Sequence, residues 1–286
     1  MTVNVGDILS PHYDIGTVTA SYVVSVLGSY VALFHARYLL RRDGTLNWAM
    51  LIGGAVALGG VGIWTMHFIG MMGYGLPVRV VYEGTLTFLS LAAAVVIAGI
   101  SLFVTGGRKK FSWPGWAFGS LLAGAGVCVM HYMGMYAMNL RASMTLDMAV
   151  VAISIAIAVT AAGAALWLAF HVVKNSHRIL AALVMGVAVC AMHYTGMASA
   201  QFICTAQGPL PAWYVAGANL PMLVIVMAGA VLTLLCWNLF GVLADSNKVQ
   251  RKTQKPRRTM QQPVAEAVAA ARRAATAPRT GAGAGN

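Results

Sequence analysis

Seven stretches of about twenty or more apolar residues limit this chain to one kind of fold. They run Val18–Leu40, Trp48–Met72, Leu86–Val104, Trp116–Met138, Met148–His171, Ile179–Phe202 and Trp213–Phe240. Each is long enough to cross the hydrocarbon core of a bilayer as a helix. Inside lipid every backbone amide must find its partner within the protein, which a helix does by itself. None of the seven shows the short alternation of a barrel strand. Only 9% of the residues are charged, against about 25% in a soluble domain, so a water-facing surface could not be covered. The expected fold is all-α, a polytopic membrane bundle of seven transmembrane helices.

The charges orient this bundle. Arg37, Arg41 and Arg42 surround the first connection, Arg108, Lys109 and Lys110 the third, and Lys174 and Arg178 the fifth. Nine more basic residues follow Leu239. The other side carries only Arg79 and Arg141. The positive-inside rule then predicts an exported amino terminus and a cytoplasmic carboxyl terminus. The net charge of +12 reflects topology and not nucleic-acid binding. Residues 1–17 read as a short exported segment, since Asp7 and Asp14 without Lys or Arg make a poor signal-peptide start. Residues 18–240 form the membrane domain. Residues 241–286, basic and rich in Ala and Gly, read as a disordered cytoplasmic tail.

One pattern recurs three times. Trp64–Gly73 reads WTMHFIGMMG, Cys128–Ala137 reads CVMHYMGMYA, and Cys190–Ser199 reads CAMHYTGMAS. The copies fall late in segments 2, 4 and 6, which makes three two-helix repeats plus a seventh helix. His67 sits nearest its segment end, and His131 and His193 lie somewhat deeper. The spacing places His67 with Met71, His131 with Met135, and His193 with Met197 on shared helix faces. Imidazole and thioether are neutral ligands that suit copper, Cu(I) or Cu(II), and thioether favours Cu(I). No carboxylate in the motifs favours a hard cation. Packing alone is the second choice, because Met fills gaps and Gly70, Gly134 and Gly196 let helices approach. Haem with axial His or Met is the third. Cys128 and Cys190 are either auxiliary ligands or small buried residues. Glu83 and Asp147 read as solvent-facing charges at segment boundaries. No nucleophile or carboxylate partner recurs beside the histidines, so the sequence predicts no enzyme.

The motifs, with the full Met192-His193-Tyr194-Thr195 match among them, resemble the MHYT domain of bacterial integral-membrane sensor proteins. Phe68, Ile69 and Met133 depart from the four-letter pattern. The resemblance implies paired-helix repeats, and a copper site of His67, Met71, His131, Met135, His193 and Met197 near the outer membrane face. It also implies a sensor of a diatomic gas such as oxygen, carbon monoxide or nitric oxide. Related proteins attach such a domain to a signalling output. The tail here is short for one, so a separate signalling protein is expected to read the state. Copper handling or transport, an electron-transfer accessory and a structural scaffold are the competing functions.

Overall fold

The reason the first, third and fifth long helices start where they do is visible in the residue just before each. In a computed structural model, Asp14, Glu83 and Asp147 occupy the N-caps of the first, third and fifth long helices. Asp14 accepts from the Thr17 amide at 2.7 Å. Glu83 accepts from Thr85 and Leu86, and Asp147 from Ala149 and Val150. Each carboxylate satisfies amides that a helix start leaves open and meets the positive end of its dipole. The Thr17 hydroxyl and amide hold the Asp14 carboxyl below the usual range. The Leu86 and Thr85 amides do the same for Glu83. Glu83 and Asp147, expected as solvent-facing charges, thus also cap the helices that follow them.

The structure describes residues 4–41, 43–172, 174–206 and 210–216, residues 220–241 except 223, 227, 234 and 238, and residues 266–273 and 275–276. Among the described residues, seven helices are long and apolar enough to cross a membrane. They are α1 Ile15–Arg37, α2 Trp48–Met72, α3 Gly84–Gly106, α4 Trp113–Tyr136, α5 Met148–His171, α6 Asn175–Ala198 and α7 Leu220–Gly241. The bundle is all-α in its membrane part, as expected. Arg42 and most of the basic tail lie outside the described residues. The tail residues that are described, 266–273 and 275–276, are helical and exposed.

Short strands occupy one end of the bundle, which the apolar runs concealed. They are β1 Ile8–Leu9, β2 His12–Tyr13, β3 Tyr74–Gly75, β4 Val81–Glu83, β5 Met138–Asn139, β6 Ala142–Leu146, β7 Ala200–Cys204 and β8 Tyr214–Ala216. The expected helical segments reaching Met138 and Phe202 therefore stop short, because those residues belong to strands, and the one expected from Trp213 starts later, because β8 follows Trp213 directly. Each repeat reads strand, helix, helix, strand, and its own two strands pair antiparallel. His12 faces Gly75, Val81 faces Asn139, and Met144 faces Phe202. β1 adds to β7, and β8 adds to β4. A cap of three small sheets results, built over the ends of α2, α4 and α6.

Each motif helix ends five residues beyond its histidine, at Met72, Tyr136 and Ala198. All three histidines thus sit at one depth, roughly 8 Å from the helix end at 1.5 Å per residue. The expectation that His131 and His193 lie deeper is corrected, since it counted strand residues as helix. α2 has 25 residues where α4 and α6 have 24. Its wide π-helical stretch Val56–Thr65, just before the motif, takes up the difference in register. There α1 passes so close to α2 that a side chain on Gly28 would meet the Gly62 backbone nitrogen at 2.4 Å.

The repeats close into a ring. The seventh residue of α1, α3 and α5 is a fully buried serine: Ser21, Ser90 and Ser154. Trp64 of the first repeat donates its indole N–H to Ser90 of the second at 3.0 Å. Tyr132 of the second bonds Ser154 of the third at 2.7 Å. Tyr194 of the third bonds Ser21 of the first at 2.9 Å. The Tyr132→Phe variant is expected to lower stability by about 1 kcal/mol, the net worth of one such bond. Ser154 keeps a second bond to the Val151 carbonyl, so the loss stays modest. A melting temperature equal to the parent's would contradict this.

Candidate metal centre

The three motif histidines converge at the centre of this ring. Their rings are at most 1% exposed. The Nδ1 atoms stand 3.0 Å apart for His67 and His193, 3.1 Å for His67 and His131, and 3.4 Å for His131 and His193. The ring planes are near-perpendicular in each pair, at 76°, 86° and 87°. A point equidistant from the three nitrogens lies about 1.8 Å from each. An ion displaced slightly from their plane would reach the roughly 2.0–2.1 Å of a metal–imidazole bond.

The triangle cannot be satisfied by hydrogen bonds alone. A neutral imidazole nitrogen either carries a proton or offers a lone pair, never both. Among three mutually close nitrogens, at most two of the three contacts can be donor to acceptor. The third always sets proton against proton or lone pair against lone pair. A cation facing three lone pairs satisfies all three at once. This frustration, deep in a low-dielectric bundle, is what makes the cluster fit a metal ion.

The outer edge of each ring explains the glycine of each motif. A side chain on Gly134 would meet His67 Nε2 at 2.3 Å, one on Gly196 would meet His131 Nε2 at 2.2 Å, and one on Gly70 would meet His193 Nε2 at 2.4 Å. Each imidazole therefore leans over the glycine of the next repeat, in the same cyclic order as the aromatic–serine bonds. The three Nε2 atoms are buried without a hydrogen-bond partner. His35 Nε2 is buried without a partner as well, so the Nδ1 triangle, and not the Nε2 edge, sets the ring apart.

Met71, Met135 and Met197 are also buried, at 2%, 1% and 0% exposure. They share one apolar cluster with Phe68, Met130 and the cap residues Leu9, Tyr74, Tyr82, Phe202 and Cys204. The cap thus presses an apolar underside onto the ends of the motif helices. Burial, helped by neighbouring Tyr13, pushes the Tyr74 phenol up to about 12, and burial raises Tyr82 as well, so these two phenols stay neutral. Met192 packs apart, with Cys128 and Ala158. The four cysteines are free thiols, and none joins the group of histidine nitrogens.

His35 shows what a merely packed histidine looks like here. It is fully buried and leans over Gly53, but its Nδ1 bonds the Val31 carbonyl at 2.9 Å. The sequence reading missed the serines and the capping role. Their signal was present, because an acidic residue precedes each serine by seven positions: Asp14 and Ser21, Glu83 and Ser90, Asp147 and Ser154.

The family model described as MHYT, bacterial signalling protein N terminal repeat, matches residues 60–119 and 124–182. The chain carries the MHYT repeat. The third motif, around His193, lies outside the matched residues, and the threefold geometry brings it in. By its description the matched repeat comes from the N-terminal part of bacterial signalling proteins. The bifunctional diguanylate cyclase/cyclic di-GMP phosphodiesterase MucR of Pseudomonas aeruginosa is 43% identical over 66% of this chain and 28% of its own. The cyclic di-GMP phosphodiesterase NbdA of the same species is 30% identical over 69% of this chain and 26% of its own. The signaling protein YkoW of Bacillus subtilis is 29% identical over 66% and 24%. The chain therefore spans about a quarter of the length of these relatives. No solved structure matches it.

Proposed function

We propose that the MHYT region is an inner-membrane sensor holding one copper ion at His67, His131 and His193, and that a diatomic gas is its signal. The observation that carries this reading is the frustrated triangle of buried Nδ1 atoms. Three neutral donors and no nearby carboxylate favour a soft, singly charged ion, since the cost of burying charge in lipid grows with its square. Met71, Met135 and Met197, buried at the same helix ends, are the thioethers available to complete the set. Copper held there would supply a soft, redox-active centre with affinity for oxygen, carbon monoxide or nitric oxide.

The protein's own part is to hold the imidazoles in place, keep water out beneath the cap, and carry any change of the ring along α2, α4 and α6. Those helices begin at the end that bears Lys109, Lys110, Lys174 and Arg178. The positive-inside rule assigns that end to the cytoplasm and the strand cap to the periplasm. Residues 18–240 would then be the sensing domain and residues 241–286 a cytoplasmic tail. The relatives' names suggest a cyclic di-GMP enzyme as the output that reads this state.

Lipid-reconstituted protein, supplied with copper under reducing conditions, is expected to bind one ion per chain. Its optical or infrared spectrum is expected to change on adding carbon monoxide. Haem uptake in place of copper, or no metal uptake at all, would overturn the reading.

A further inference from the structure

The residues one helical turn below the histidines open onto a second feature. Ile63, Val127 and Val189 each precede a ring histidine by four positions, which puts them on the same helix faces about 6 Å further into the bundle. All three line a single cavity of about 60 Å³. Five helices, α2 to α6, surround it. The space exists because its walls are small: Ala98 of α3 and Ala158 and Ala162 of α5 stand where larger side chains would fill it.

The lining chemistry decides the occupant. By volume the cavity exceeds the roughly 10–15 Å³ that one water needs, but a buried water also needs two to four polar partners. The wall offers one hydroxyl, Ser101, and it donates its proton to the Ile97 carbonyl at 2.8 Å. Apolar cavities of this kind stay dry and take up small apolar guests. A charged or strongly hydrated molecule would lose its solvation with nothing in return.

We propose that this cavity is a binding site for one small, uncharged, apolar molecule of xenon or diatomic size, held one turn beneath the histidine ring with Ile63, Val127 and Val189 as the partition. Uncharged gases dissolve in the bilayer, so the guest reaches the cavity through lipid and the bundle, not through the polar strand cap. Its value as an antechamber rests on the reading of the ring as a gas-binding metal centre. Its existence as a site does not.

The test uses xenon on the metal-free, lipid-reconstituted chain, read by methyl NMR at Ile63, Val127, Val189 and Ala98. Saturable shifts at these methyls are expected in the parent. At least tenfold weaker xenon binding is expected in Ala162→Leu and in Ala98→Leu, two fillings from different helices. Copper uptake by both variants is expected to match the parent, while carbon monoxide reaches the copper-loaded variants at least tenfold more slowly. No saturable shift in the parent would overturn the site. So would unchanged xenon affinity in whichever variant folds, or lipid-chain contacts at the same methyls without a xenon response. A parent that binds xenon but no copper keeps the site and removes only the metal centre.

Discussion

Replacing His131 with alanine is expected to weaken copper binding by at least about 100-fold while leaving the bundle folded. Loss of a residue that merely orients a ligand costs 10–100-fold in metal affinity, and here a ligand itself goes. The remaining pair, His67 and His193, is 3.0 Å apart. With the third nitrogen gone, that pair can form one ordinary N–H···N bond, and the frustration of the triangle disappears. The metal-free variant should therefore lose less stability than truncation of a buried side chain normally costs, which is about 2–5 kcal/mol. His67→Ala and His193→Ala should behave alike, because the three separations are nearly equal. His35→Ala is the control. Its Nδ1 is already bonded to Val31, so copper uptake should match the parent. Copper retained at parental affinity in any of the three ring variants, measured by competition with a Cu(I) chelator, would end the ring's candidacy as the metal centre.

The bundle was readable from the sequence because bilayer spans leave a long, one-letter-class signature that survives in a single chain. The histidines were readable because three copies of one pattern cannot be coincidence at matched positions. The strand cap was not readable. Met138 and Phe202 are apolar and continue the helical runs without a break, and only pairing with residues far away in sequence makes them strands. That long-range pairing also set the histidine depths, which the segment ends had misjudged. The serines were hidden for a different reason. A serine inside an apolar helix is unremarkable alone, and its partner is an aromatic on another repeat. Its meaning appears only when three equal offsets from three acidic caps are laid side by side.

The glycines give the ring its second test. An alanine at Gly134 would place its methyl 2.3 Å from His67 Nε2, closer than real side chains tolerate. Something must move, and the imidazole is the element in the way. In an exposed helix the same change would stabilise by about 0.5–1 kcal/mol through backbone entropy. Here overpacking opposes it at about 1–3 kcal/mol, so Gly134→Ala is expected to lower stability despite the better helix former. Gly229 supplies the contrast, since nothing stands within 4 Å of a methyl placed there, and Gly229→Ala should leave stability unchanged or improved. The two substitutions should separate further with copper present. A ring pushed off Gly134 no longer aims its Nδ1 at the common centre, so copper affinity should fall at least tenfold in Gly134→Ala and stay parental in Gly229→Ala. Gly196→Ala and Gly70→Ala act on His131 and His193 in the same way. If Gly134→Ala melts and binds copper as the parent does, the imidazole has room to spare. The motif glycine would then owe its place to something other than the neighbouring histidine.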